Sequence, residues 1–201
     1  MRSYSQAKQE DWVIEYFNEK REGYFLDIGA LDGIQSNNTY VLEKKYKWAG
    51  LCVEPYYIHL PVLRATRENI VEKGIYSSKG SFKFSAATSG IDKDGGTIVI
   101  PTITFRDLFK EYDVPEIIDY ISLDVEGAEY EALKGFPFDT HISILWTIEH
   151  NFYINNDPTL KNQIKEIMLA NDYVIAKEDV SCPDSRNLPF EDWYIHKNYV
   201  K

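Results

Sequence analysis

Directly after the apolar run Tyr24-Phe25-Leu26, the chain carries a carboxylate and two glycines in the order Asp27-x-Gly29-x-x-x-Gly33. Glycine permits positive φ and lets a ligand lie close to the main chain. An apolar strand breaking into such a loop is how an α/β domain opens a crevice at the carboxyl end of its first strand. A second apolar run, Ala49 to Val53, ends in Glu54, 21 residues beyond Gly33. At that spacing a carboxylate accepts hydrogen bonds from a ribose diol in dinucleotide folds. The loop is not the dinucleotide fingerprint Gly-x-Gly-x-x-Gly, because Leu31 and Ile34 stand where its second and third glycines belong. The second of those glycines lets the backbone meet a pyrophosphate. A ligand with a ribose and no phosphate suits this loop better, and S-adenosylmethionine is such a ligand. Read more blandly, the loop is a strand-to-helix turn with two glycines, and it is the placing of Glu54 that argues for a cofactor.

The same residues belong to a longer pattern. It comprises Phe25-Leu-Asp-Ile-Gly-Ala30, Asp32-Gly33, Ser36-Asn-Asn-Thr-Tyr40, Trp48 to Pro55, Asp119 to Glu129 with its Asp124-Val-Glu-Gly-Ala-Glu129 block, and Thr147 to Asn151. On these the chain resembles the FkbM family of S-adenosylmethionine-dependent methyltransferases, from about residue 4 to about residue 151. The resemblance implies a class I methyltransferase fold and methyl transfer to an oxygen, often on a sugar or a secondary metabolite. It also implies that Gly29, Ala30 and Gly33 hold the methionine part of the cofactor and Glu54 its ribose hydroxyls. Asp27 would fix the loop and accept from the cofactor's ammonium. Ser36 and Asn38, at the start of the next helix, would lie near the methionine carboxylate, and Ile75 with Tyr76 would form the adenine wall.

Ligands of open α/β sheets bind beyond the carboxyl ends of the strands. Four of the five strand ends predicted here carry a carboxylate: Asp27, Glu54, Asp124 to Glu126, and Glu149. An alcohol is a poor nucleophile until its proton is accepted, so a positioned base is worth roughly 10²–10⁴-fold. Asp124, Glu126 and His150 are the catalytic candidates, with Glu149 beside them. A histidine at that place would otherwise simply hydrogen-bond a loop carbonyl. Asp124, Glu149 and His150 also have the ligand types for a Mg²⁺-like ion, although a divalent metal is not the favoured reading. Glu129 and Glu131 read as solvated or capping residues of the following helix.

Apolar periodicity supplies the elements that must hold these groups. A helix is predicted over Gln6–Glu19, capped by Ser5. Strands follow at Tyr24–Ile28, Leu51–Glu54 and Ile70–Tyr76, with helices at Asn38–Tyr46 and Tyr57–Glu68 between them. Ser81–Ser85 and Thr97–Ile100, around a turn-rich Gly90–Gly96, read as a β-hairpin inserted before a helix at Phe105–Tyr112. Strand Tyr120–Asp124, helix Glu126–Lys134 stopped by Gly135, strand Ile142–Glu149 and helix Pro158–Ala170 continue the alternation. Tyr173–Ala176 and Trp193–His196 would close the sheet as an antiparallel edge pair. The expected architecture is a doubly wound, Rossmann-like sheet of seven strands in one domain over residues 1–201. The inserted hairpin, with Tyr56, Tyr57 and Tyr153, is expected to border the acceptor pocket above Asp124.

A net charge of −10 without a basic stripe disfavours nucleic acid as acceptor. A sugar or glycan is the expected acceptor, with a small secondary metabolite as the alternative. A nicotinamide-dependent oxidoreductase is disfavoured by Leu31 where a glycine should stand, and a cofactor-binding module that has lost its activity by Glu54 with Asp124 to Glu126. The two cysteines, 130 residues apart, do not suggest a disulfide framework. No run of about 18 apolar residues suits a membrane span, and the chain reads as cytoplasmic. It is equally compatible with being one domain of a larger glycan-processing polypeptide.

Overall fold

The computed structural model describes residues 3–85, 90–91 and 95–201. Its main sheet has seven strands: β1 (Tyr24–Ile28), β2 (Ala49–Val53), β3 (Ile70–Val71), β8 (Ile117–Leu123), β9 (Ile142–Glu149), β10 (Tyr173–Ser181) and β11 (Pro189–His196). They lie in the order β10-β11-β9-β8-β1-β2-β3. The five strands from β9 to β3 are parallel, while β11 runs antiparallel to both β9 and β10. The expected edge pair is therefore present. The strand order reverses between β1 and β8, which is where such sheets open a ligand crevice.

Alternation along the parallel strands sends successive side chains to opposite faces. Leu26, Leu51, Val53, Ile121 and Trp146 pack on one face beneath α4 (Phe105–Glu111), α5 (Glu129–Lys134) and α7 (Thr159–Ala170). Phe25, Cys52, Tyr120 and Leu145 pack on the other beneath α1 (Gln9–Tyr16), α2 (Tyr40–Lys44) and α3 (Leu60–Thr66). With both faces covered, the strands read as nearly continuous apolar runs.

Three elements depart from the periodicity. Helix α1 begins at Gln9 and ends at Tyr16, so Ser5 is not its flanking residue, although its Oγ still accepts from the Gln9 N–H at 3.1 Å. Gly135 ends α5 with φ −91° rather than in the left-handed conformation of a glycine stop. The third strand is split: Val71 pairs with Val53, but β4 (Gly74–Ile75) leaves the main sheet to pair with Thr102 and Ile103.

That split changes the insertion. Strands β4, β5 (Gly80–Ser85), β6 (Gly90–Ile91) and β7 (Ile98–Ile103) form a second sheet in the order β4-β7-β5-β6. The hairpin is thus the larger part of a four-stranded sheet, with β7 continuing through Pro101. Residues 92–94 of the expected turn lie outside the described residues. A small apolar cluster of Tyr56, Phe84 and Ile100 anchors this sheet beside the carboxyl end of β2.

Candidate active site

The Gly29 loop is held by main-chain bonds from both neighbouring strands. The Gly29 and Ala30 N–H groups donate to the Val53 carbonyl (2.9 and 3.1 Å), and the Asp124 N–H donates to the Ile28 carbonyl (2.9 Å). Gly29 has φ +91°, and a Cβ there would lie 1.7 Å from the Asp124 carbonyl oxygen. No other residue fits. Leu31, also left-handed at φ +48°, donates its N–H to Glu54 Oε2 (3.0 Å), while Tyr56 donates its N–H to Glu54 Oε1 (2.7 Å). Each Glu54 oxygen keeps a second lone pair. Burial pushes the Glu54 carboxyl up to about 7 against the lowering effect of these two hydrogen bonds.

A cavity of about 550 Å³, counted with its open mouth, lies over this loop. Of the residues singled out in the sequence, Gly29, Glu54, Ile75, Asp124 and Glu126 line it. Tyr76, expected beside Ile75 in the adenine wall, is not among its lining residues and packs its ring on Phe82 at 4.6 Å. Adjacent strand residues face opposite ways. Ser36 is exposed at φ +50°, away from the cavity. Asn38 donates from Nδ2 to Ser122 Oγ (2.9 Å), and its Oδ1 is buried without a partner among the described residues.

Asp27 and Gly33 are placed by a residue the sequence did not flag. The guanidinium of Arg67 is fully buried. Its Nε donates to Glu43 Oε2 (2.6 Å), one terminal nitrogen to Thr39 Oγ1 (2.7 Å), and the other to the Gly33 carbonyl (3.1 Å) and Asn37 Oδ1 (3.0 Å). Asp27 Oδ2 accepts from Thr39 Oγ1 (2.6 Å) and Asn37 Nδ2 (2.8 Å) and lies 3.5 Å from Arg67. Asp27 thus faces this network below the loop and does not line the cavity. Gly33, at φ +78°, packs so closely on Arg67 that a Cβ would lie 2.7 Å from its Cγ. An arginine after a helix carries no local signal that it will be buried.

Asp124 and Glu126 line the cavity, and one carboxylate oxygen from each clusters within 4.8 Å with one from Glu149, which is not itself a lining residue. Burial pushes all three carboxyls up, Glu126 to about 7, and Asp124 and Glu149 share a hydrogen bond. Glu126 has the left-handed φ of +56°, a strained conformation for a non-glycine residue. Its loop is fixed by Glu129, which of the two expectations, solvated or capping, does not meet the first. Glu129 is fully buried and accepts from the Val125 and Gly127 N–H groups (2.8 and 3.0 Å). Tyr153 belongs to the same neighbourhood, its hydroxyl raised first by burial and then by Glu149, Glu126 and Asp124.

His150 does not join them. It follows Glu149 and faces the other way, lining a separate recess with Gly127, Ile154 and Leu160. Its Nδ1 accepts from the Phe152 N–H (3.4 Å), and its Nε2 stands 3.6 Å from Asp192 without a hydrogen bond. A base acting at Asp124 and Glu126 must come from the carboxylates themselves. The metal set drawn from the sequence changes likewise, since the third clustered group is Glu126 rather than His150.

The Methyltransferase FkbM domain model matches residues 27–175. No curated protein sequence matches the chain. Among solved structures, methyltransferase FkbM from Methylobacillus flagellatus KT aligns with a TM-score of 0.59 at 18% identity, covering 88% of this chain and 44% of that one. The chain thus spans less than half the length of that protein. Cofactor-bound Rv0187 from MTB aligns with a TM-score of 0.60 at 9% identity over 97% of this chain and 82% of that one. The plantazolicin methyltransferase BpumL in complex with SAH aligns with a TM-score of 0.50 at 11% identity over 94% and 82%. At these identities the structural likeness bears on the fold.

Proposed function

The chain belongs to the FkbM methyltransferase domain family, and from that premise we propose that it transfers a methyl group from S-adenosylmethionine to a hydroxyl of a sugar or glycan. The observation that carries this reading is the meeting of the Gly29 loop, Glu54, Asp124 and Glu126 around one cavity, with Glu149 clustered on the last two. The cradle suits the cofactor: Gly29 lines the cavity with main chain alone, and Glu54 offers one free lone pair on each oxygen for a ribose diol. When bound, the cofactor supplies an electrophilic methyl group on a sulfonium.

The protein's own work is to align and to accept a proton. In-line displacement gains much of its rate from holding the acceptor oxygen against the methyl group. Glu126 carries a carboxyl near 7 on a strained loop at the cavity edge, so a substantial fraction is ionised at neutral pH and able to take the hydroxyl proton. Burial first, and then the neighbouring Asp124 carboxylate, raise the basicity of Glu126. Tyr153 gives the acceptor an aromatic edge beside them.

The choice of a sugar rests on the family resemblance and on the acidic charge of the chain, which disfavours a phosphate-rich partner. No helix of the described residues is long and apolar enough to cross a membrane. A cytoplasmic setting is part of the proposal, in keeping with two free, buried cysteines. The test is a screen with methyl-labelled cofactor across sugars, glycans, small phenols and RNA, read by mass shift. Labelled sugar is the expected product; label confined to RNA or to small phenols overturns the acceptor class. The same three carboxylates are of the type that holds Mg²⁺, and turnover lost with EDTA and restored by Mg²⁺ would reassign them from base to metal ligands.

A further inference from the structure

The inserted sheet, read from sequence as a border to the acceptor, sits at the opposite end of the cavity. Phe84 of β5 and Ile100 of β7 line the cavity together with Pro55, Gly74 and Ile75. Both insertion side chains are buried at 2% exposure. A Cβ added at Gly74 would lie 3.1 Å from Ile100 Cδ1 and 3.8 Å from Pro55 Cγ, so these three residues close on one another. The Tyr56 ring packs on Phe84 at 5.1 Å, while the Tyr56 N–H is the donor that fixes Glu54. One residue therefore joins the ribose-binding acid to the wall made by the insertion.

The cavity is graded in polarity. The strand order β8-β1-β2 sets Asp124 and Glu126 on one side of Glu54, while Phe84 and Ile100 share the lining with Pro55, Gly74, Ile75 and Lys73, whose ammonium is drawn off to Glu111 (2.8 Å). A nucleoside held at its ribose by Glu54 has two directions in which to extend. Its charged sulfonium and amino-acid part suits the carboxylate end. Its flat, weakly polar base suits the apolar end, where an aromatic face gains from stacking. We propose that Phe84 and Ile100 of the inserted sheet form the wall of the purine site, so that the insertion is part of the cofactor site and not of acceptor recognition. This rests on the cofactor reading above. It also explains why β4 leaves the main sheet: pairing with β7 carries Gly74 and Ile75 to the same wall.

The experiment crosses a side-chain truncation with a ligand truncation. S-adenosylhomocysteine and its base-less counterpart, S-ribosylhomocysteine, are titrated calorimetrically into the wild-type protein, Phe84→Ala and Phe84→Leu. Losing an aromatic–base stack is expected to weaken S-adenosylhomocysteine about tenfold or more in Phe84→Ala. S-ribosylhomocysteine should bind wild type and Phe84→Ala alike. Phe84→Leu, which keeps an apolar filling for the Tyr56 cluster, should retain the wild-type melting temperature and lose an intermediate factor. Equal weakening of both ligands in Phe84→Ala would mean that Phe84 acts through the fold, and undiminished S-adenosylhomocysteine binding in both variants would place the purine elsewhere; either overturns the proposal. Failure of the wild-type protein to bind S-adenosylhomocysteine at all would instead overturn the cofactor reading itself.

Discussion

Glu54 and Glu126 are both lifted to about 7 chiefly by burial, and substitutions at each should part the two roles proposed for them. Glu54→Gln keeps the shape but gives up a charge-assisted pair with the ribose, typically about 1.5–3 kcal/mol. S-adenosylhomocysteine affinity should fall roughly tenfold or more, as read by calorimetry; an unchanged affinity in a folded variant would move the ribose partner elsewhere. Because burial lifts the Glu54 carboxyl to about 7, its ionised form is gained as pH rises through 7. Wild-type affinity should therefore climb from pH 6 to pH 8, and the Gln variant should lose that climb. Glu126→Gln should leave affinity near wild type and lower turnover by roughly 10²–10⁴-fold, the usual worth of a general base. Initial rates at saturating cofactor and acceptor decide this, and normal turnover would remove Glu126 from the chemistry.

The loop between β1 and α2 rests on a buried ion network as well as on its own glycines. Arg67 is paired with Glu43 and lies 3.5 Å from Asp27, all three buried. Removing one partner of a buried pair leaves an uncompensated charge and costs about 3–5 kcal/mol. Arg67→Met should lower the urea midpoint accordingly and weaken cofactor binding through the loss of support at Gly33, whose carbonyl Arg67 holds. A variant with wild-type stability would show that the network is dispensable. Periodicity found the elements on either side of this loop because their apolar faces are local properties: β1 and β9 were expected and occur at Tyr24–Ile28 and Ile142–Glu149. The sequence reads as one third strand over Ile70–Tyr76, with apolar residues at both ends of the stretch. Which sheet Gly74 and Ile75 join depends on their partners Thr102 and Ile103 in β7, 28 residues away, and pattern alone carries no such information.

Across the whole molecule, buried carboxyls whose acidity is weakened set how stability varies with pH. Glu54 and Glu126 are pushed up to about 7, Glu129 and Glu191 to about 8, from an ordinary 4.5, each chiefly by burial. Between about pH 4.5 and 8 the folded state then holds more protons than the unfolded chain, so stability falls as pH rises across that window. His196, held below 6.5 by burial, works in the opposite sense but is one group against four. Denaturant unfolding without ligand should give a lower midpoint at pH 8 than at pH 5.5. A midpoint that rises between them would mean that these carboxyls are ionised at no cost in the fold.

What the sequence determined by itself were features written in short stretches of chain. The Gly29 loop, the acid after β2, the Asp124–Glu126 block, and the family they mark are each a local motif, and local motifs need only neighbouring residues to act. The tertiary structure alone decided which side chains meet across the fold. It turned His150 away from Glu149, since consecutive residues at a strand end face opposite sides. It drew Arg67 beneath the loop to Asp27, 40 positions apart in the chain. It brought Phe84 and Ile100 to the cavity, where strand pairing within the second sheet, and no sequence motif, sets their place.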